Sequence, residues 1–241
     1  MLWGDNQVDA FSQLVKPGYT DCVLGMNEYV FIHFSIIFLL AVYFHLRPNQ
    51  EGQANISTDD GAKLWNTYIA PLASQGYTIL GSPAPTSAPD GLAWINEWLD
   101  KIQVKPTVMC LHWYDVGFAN FQQYVTNYHN NLKLQRNIWV TEFACQNFNG
   151  GAQCSQQDIW DFVTQATAWM DGTPWIEMYA PFGVFRLFHL TCSYTHVALT
   201  CSGFMRDMQG VNQLDQLMKA HPGQSDDGYP TDLGYFFINQ S

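Results

Sequence analysis

Two glutamates each stand at the end of an apolar run, Glu28 after Cys22-Val-Leu-Gly-Met-Asn and Glu142 after Ile138-Trp-Val-Thr. Two carboxyl groups facing each other across a glycosidic bond are what its hydrolysis needs. One, protonated, gives its proton to the leaving oxygen, and the other attacks the anomeric carbon or activates water. Asn27, beside Glu28, has the amide to hydrogen-bond a sugar hydroxyl. His112 and Tyr114, in Leu111-His-Trp-Tyr-Asp115, are placed to hydrogen-bond a substrate or the second carboxylate. Trp3 and Tyr179 offer rings for stacking on sugar faces, although aromatic residues in strands are as often plain core filling. The remaining acids read differently: Asp59 and Asp60 open a helix, Glu97 lies inside one, Asp115 is a supporting residue, and Glu177 sits in a strand with either face open to it. There is no HExxH, no paired CxxC and no P-loop, so neither a metal nor a cofactor is called for.

The segments that must hold these groups alternate between apolar strands and amphipathic helices. Strands are predicted over 21–26, 77–81, 107–114, 137–143 and 175–180. Helices are predicted over 58–75, 92–102, 119–130, 155–171 and 211–220. Nearly continuous apolar strands separated by helices mean a parallel sheet covered by helices. The polar and aromatic candidates fall at strand ends, Asn27-Glu28, His112-Trp113-Tyr114 and Glu142-Phe143, and the C-terminal strand ends are the active face of a parallel barrel.

Composition narrows the partners. In 241 residues there are 10 Lys+Arg against 21 Asp+Glu, a formal net charge of −11, so there is no cationic surplus to bind nucleic acid or an anionic membrane. Charged residues make up only 13% and aromatics 15%, a balance suited to neutral, hydroxyl-rich ligands. Six cysteines are too few for a disulfide scaffold, but Cys145 and Cys154 bracket the loop Gln-Asn-Phe-Asn-Gly-Gly-Ala-Gln and read as a staple across a surface excursion. That staple favours an oxidising compartment. Cys22 and Cys110 lie in apolar runs and read as buried thiols, and Asn55 and Asn239 open Asn-X-Ser triplets.

Two stretches break the alternation. Residues 29–47 and 184–203 contain no Asp or Glu yet hold four of the seven histidines. The first is near the lower length limit for a membrane span and carries His33 and His45, and a strand cannot leave the sheet for a membrane and return. Both stretches instead fit translated introns. Glu28-Tyr29-Val30 can be encoded with GTATGT, a fungal-type donor, and Leu46-Arg47 can end in AG. Gly183-Val184-Phe185 permits GTGTGT, Leu199-Thr200 permits the branch sequence CTAAC, and Ser202-Gly203 can contain CAG. Removing the first stretch joins Asn27-Glu28 to Pro48.

With that junction restored, Leu2-Trp-Gly, Leu24-Gly-Met-Asn-Glu, Gly81-Ser-Pro-Ala, Leu111-His-Trp-Tyr-Asp, Trp139-Val-Thr-Glu-Phe-Ala-Cys and the terminal Gly234-Tyr-Phe-Phe-Ile-Asn-Gln-Ser resemble the fungal Asl1-like glycosyl hydrolases, glycoside hydrolase family 128. The resemblance implies an α/β fold, a (β/α)8 TIM-type barrel. It also implies a retaining β-1,3-glucanase with Glu28 as acid/base on the fourth strand and Glu142 as nucleophile on the seventh. The family pattern has two further strand–helix units and part of the third strand before Leu2-Trp3, so the barrel is expected to be N-terminally truncated. The resulting expectation is one domain over 1–241, interrupted at 29–47 and 184–203. It would be a secreted endo-β-1,3-glucanase of the extracellular space or cell wall, monomeric, acting on β-glucan polysaccharide or oligosaccharide. The polypeptide as written is expected to be inactive. The alternative is a non-catalytic glucan-binding remnant of the same family.

Overall fold

The computed structural model describes residues 8–9, 22–24, 55–182, 212–217, 219, 225 and 229–239. Trp3, Asn27, Glu28 and the stretches 29–47 and 184–203 lie outside the described residues. Five short strands, all parallel, carry the fold: β1 (Cys22–Leu24), β2 (Ile79–Gly81), β3 (Met109–Asp115), β4 (Ile138–Cys145) and β5 (Ile176–Tyr179). β1 pairs with β2, a bridge between Gly81 and Val108 links β2 towards β3, and β3, β4 and β5 form a continuous ladder. Spatial order therefore follows chain order, with a helical crossover between neighbours: α1 (Thr58–Leu64), α2 (Gly91–Lys101), α3 (Phe118–Asn131) and α4 (Gln156–Asp171). This is an α/β architecture, as a parallel ladder requires, because its strands cannot be joined by tight turns.

The alternating strand residues divide between two cores. Met109, Leu111, Trp113, Ile138, Val140 and Phe143 join the helix residues Trp98, Phe121, Val125, Phe162 and Ala166 in the main apolar cluster. Cys110 and Trp139 pack instead with Ala84 and Val108, and Tyr114 and Ala144 with Phe182, on the opposite face. Aromatic rings fill the helix side. Trp98 meets Trp65 edge-on at 5.1 Å, and Trp113 packs on Phe121 and Phe162 at 5.2 and 5.1 Å.

One irregularity decides which way Glu142 points. Leu111 pairs with Val140, but the next residue, His112, pairs with Glu142, so Thr141 is an extra residue in β4. The Thr141 hydroxyl donates to the Leu111 carbonyl at 3.3 Å, giving a partner to a group beside the break in the ladder. A bulge of this kind shifts every later side chain to the other face. Strict alternation would have set Glu142 with Ile138 and Val140 against the helices. The bulge instead puts it on the face of His112, Tyr114 and Ala144.

Three element expectations are corrected. The helix expected over 58–75 is divided into α1, a π-turn (Trp65–Ile69) and a 3-10 segment (Ala70–Gln75), because Pro71 has no N–H to continue the α ladder; Gly76 (φ 96°) ends it. The helix expected over 211–220 is, in its described residues, a single 3-10 turn (Gln213–Asp215). There the Leu217 carbonyl accepts from Thr231 N–H and the Lys219 N–H donates to Tyr229, so the backbone spends these groups on residues 229–231 rather than on a helix. A C-terminal helix not read from the sequence, α5 (Asp232–Asn239), follows; Leu233 belongs to the main core and Gly234 lies against the Leu217 carbonyl, where a Cβ would overlap it. Among the described residues no helix is long and apolar enough to cross a membrane.

Candidate active site

β3 and β4 deliver three of the sequence-nominated side chains to one place. Glu142 and His112 are 2% and 1% exposed, and the His112 Nδ1 lies 3.2 Å from Glu142 Oε2, an ion pair whenever the imidazole is protonated. The Tyr114 hydroxyl donates to the same oxygen at 2.7 Å. Burying a carboxylate is costly unless a donor or a charge meets it, and here the Tyr114 phenol donates to it and the His112 imidazole stands beside it, both from the neighbouring strand. Tyr114 is in turn held between two rings, Phe182 at 5.9 Å and Phe148 at 5.8 Å, both edge-on. The result is an oriented, buried carboxylate in the C-terminal half of β4, three residues before the strand ends at Cys145.

The other nominated residues fall elsewhere. Tyr179 is not brought to this cluster. It pairs in register with Val140, packs its ring on Phe143 at 6.1 Å and donates its hydroxyl to Asp171 Oδ1 at 2.8 Å, all on the helix side of the sheet. Burial and the Asp171 carboxylate push its phenol pKa up, so it stays a neutral structural donor. Asp115 turns its carboxylate onto its own loop, where Oδ1 accepts the Val116 N–H at 2.8 Å. Glu177 accepts from the Trp139 indole N–H at 3.1 Å and from Asn137. Cys145 and Cys154 form a disulfide with Cα atoms 6.0 Å apart, closing the loop that begins three residues after Glu142. Cys110 is buried. Among the described residues no three His, Cys, Asp or Glu side chains are grouped to hold a metal ion.

Sequence reasoning missed two residues here. Phe148, in the disulfide loop, carried no periodic signal. Asp215, within the expected helix 211–220, was not singled out, yet it is buried near the end of β4; desolvation pushes its carboxyl up to about 7, against a hydrogen bond from the Cys145 backbone.

A family model for the glycosyl hydrolase catalytic core matches residues 41–237. The chain belongs to that family. The matched span contains Glu142, His112 and Tyr114, and starts after Glu28. Within the family the chain is an Asl1-like domain of glycoside hydrolase family 128. It is 30% identical over 180 residues to alkali-sensitive linkage protein 1 of Schizosaccharomyces pombe, a match that covers 73% of this chain and 29% of that protein. It is 29% identical to a family 128 (subgroup VI) exo-β-1,3-glucanase of Aureobasidium namibiae, with a TM-score of 0.56 over 76% of this chain and 61% of that one. A subgroup VII oligosaccharide-binding protein of Cryptococcus neoformans shares the fold at 21% identity, with a TM-score of 0.67 over 99% of this chain and 77% of that one. The chain thus spans less than two thirds of the curated relative and of the first of these structures.

Proposed function

We propose that this domain is a retaining β-1,3-glucanase acting on β-glucan through Glu142 as nucleophile and Glu28 as acid/base. The observation that carries the proposal is the Glu142 carboxylate, buried in the C-terminal half of a parallel strand, hydrogen-bonded by Tyr114 and with His112 beside it, in a glycosyl hydrolase catalytic core. In the first step Glu142 bonds to the anomeric carbon as the C–O bond to the leaving sugar breaks, and Glu28 gives that oxygen its proton. In the second, water replaces Glu142 on the same carbon, its proton passing to Glu28, so both residues return to their starting states and the product keeps its configuration. Asn27 binds the 2-hydroxyl, and Trp3 stacks on a sugar face. The neutral, hydroxyl-rich substrate suits a site without a cationic patch.

The proposal extends to the setting of the site. The five described strands are the fourth to eighth of a (β/α)8 barrel that forms one domain, with residues 29–47 and 184–203 as translated introns. The protein acts as a monomer outside the cell or in the cell wall, where the Cys145–Cys154 disulfide is stable.

The test begins with the transcript, sequenced across both stretches. The protein it encodes is then assayed on laminarin. Glu28→Gln and Glu142→Gln are each expected to lower hydrolysis by at least about a thousandfold, and NMR of the first products should show the β-anomer. Appearance of the α-anomer overturns the nucleophile role of Glu142, and full activity in Glu142→Gln overturns the site. Endo or exo attack is read from the product lengths.

A further inference from the structure

The loop closed by Cys145 and Cys154 is built of amides, glycines and an alanine around one large apolar residue, Phe148. In the folded chain that ring is 54% exposed, while Tyr114, which it meets edge-on, is buried. It is not remote from the site. Its edge contact with Tyr114 at 5.8 Å leaves one side chain between it and Glu142, whose carboxylate the Tyr114 hydroxyl reaches at 2.7 Å.

The loop holds the ring in place without needing it as core. Asn147, the preceding residue, ties the loop together: its N–H donates to Gln153 Oε1 at 3.0 Å, its Nδ2 to the Ala152 carbonyl at 3.1 Å, and its Oδ1 accepts from Asn149 N–H at 2.8 Å. Gln153 Nε2 returns a bond to the Asn147 carbonyl at 2.7 Å. Gly150, at φ 81°, makes the turn that a residue with a Cβ would strain. Leaving a phenyl ring half in water forgoes hydrophobic stabilisation, of order 1 kcal/mol or more. A fixed loop that presents such a ring beside a buried carboxylate has already met the ordering cost that a binding surface would otherwise pay on association. A pyranose has a matching face, the C–H groups of its ring, which stack on an aromatic plane while its hydroxyls remain hydrated.

We propose that Phe148 is the platform of a sugar-binding subsite next to Glu142, occupied by a glucosyl unit of the β-1,3-glucan adjoining the bond that is cleaved. This rests on the glucanase function proposed above. Phe148 sets substrate affinity and does not touch the reacting atoms, so its loss falls on KM rather than on kcat.

The protein encoded by the sequenced transcript, carrying Glu142→Gln to prevent turnover, is titrated with laminarihexaose by calorimetry. Adding Phe148→Ala is expected to weaken binding about tenfold, and Phe148→Trp to restore it. The new indole should also give a difference emission spectrum that shifts on adding the sugar. In the active protein, Phe148→Ala should raise KM for laminarihexaose by about the same factor with kcat within about twofold. Unchanged affinity in Phe148→Ala overturns the subsite and leaves the glucanase function standing. A loss of affinity accompanied by a lowered melting temperature and not rescued by Trp also overturns it, since the ring would then be structural. A parent protein that neither binds nor hydrolyses β-1,3-glucan overturns both the subsite and the function.

Discussion

At the scale of the residue, the site turns on one carboxylate, its phenol donor and the imidazole beside it. Tyr114 donates to Glu142 at 2.7 Å within the buried cluster, and a hydrogen bond to a charged group contributes about 1.5–3 kcal/mol. Tyr114→Phe keeps the ring between Phe148 and Phe182 and removes only that bond. The expected result is a loss of roughly 10- to 100-fold in kcat/KM on laminarin, with the melting temperature lowered by several degrees because the buried carboxylate loses a donor. Asp215 supplies a second test, in stability rather than rate. Burial raises its carboxyl from 3.8 to about 7, so the folded chain holds this proton more tightly than the unfolded chain does. The contribution is therefore fully present below about pH 4, declines as pH rises, and is lost as pH passes through about 7. Its ceiling is on the order of a few kcal/mol. Asp215→Asn should flatten the fall in urea midpoint between about pH 5 and pH 8 relative to the parent; an unchanged slope would show that the carboxyl is ionised throughout.

At the scale of the element, two devices hold β4, the strand that carries Glu142. The first is the bulge at Thr141, whose hydroxyl serves the Leu111 carbonyl. Thr141→Val leaves that buried acceptor without its partner and should cost about 1–3 kcal/mol in chemical denaturation, with activity reduced beyond the stability loss because Glu142 is the next residue. The second is the Cys145–Cys154 staple, with a sequence separation of 9. Closing a loop of that size restricts the unfolded chain by about 2–3 kcal/mol. Reduction should lower the denaturation midpoint accordingly and weaken laminarihexaose binding, because the loop that carries Phe148 loses its tether. Two free thiols in the unreduced, secreted protein would refute the staple.

At the scale of the whole molecule, the described strands follow chain order from β1 to β5, and the two stretches proposed as introns fall between β1 and β2 and after β5, outside the described residues. For Glu28 in its proposed acid/base role, an apolar insertion directly after it is expected to displace a group that must be positioned within a fraction of an ångström, and misplacement by about 1 Å costs about a hundredfold. The 241-residue polypeptide is therefore expected to be insoluble or inactive. The version lacking 29–47 and 184–203, as dictated by the transcript, should be soluble and hydrolyse laminarin. Equal activity from both, measured as reducing sugar released per mole of folded protein, would show that the two stretches belong to the working enzyme.

The sequence by itself determined the order of strands and helices between residues 77 and 180, since long apolar runs and 3.6-residue periodicity are local signals that burial then satisfies. It also put His112, Tyr114 and Glu142 on two successive strands, which run past the expected ends to Asp115 and Cys145, and it marked the Cys145–Cys154 loop by its composition. Three things were decided only in the tertiary structure. The face that Glu142 presents depends on a one-residue bulge, whose register is defined by pairing with β3 and not by alternation within β4. Tyr179 went to the helix side, because its register beside Val140 offered a ring contact with Phe143 and a carboxylate at Asp171, neither of which is adjacent in sequence. Asp215 and the chain after it formed a turn instead of a helix, because residues 229–231 took up its neighbours' backbone groups. Each outcome was set by partners distant along the chain, and local propensity carries no information about which distant partner arrives.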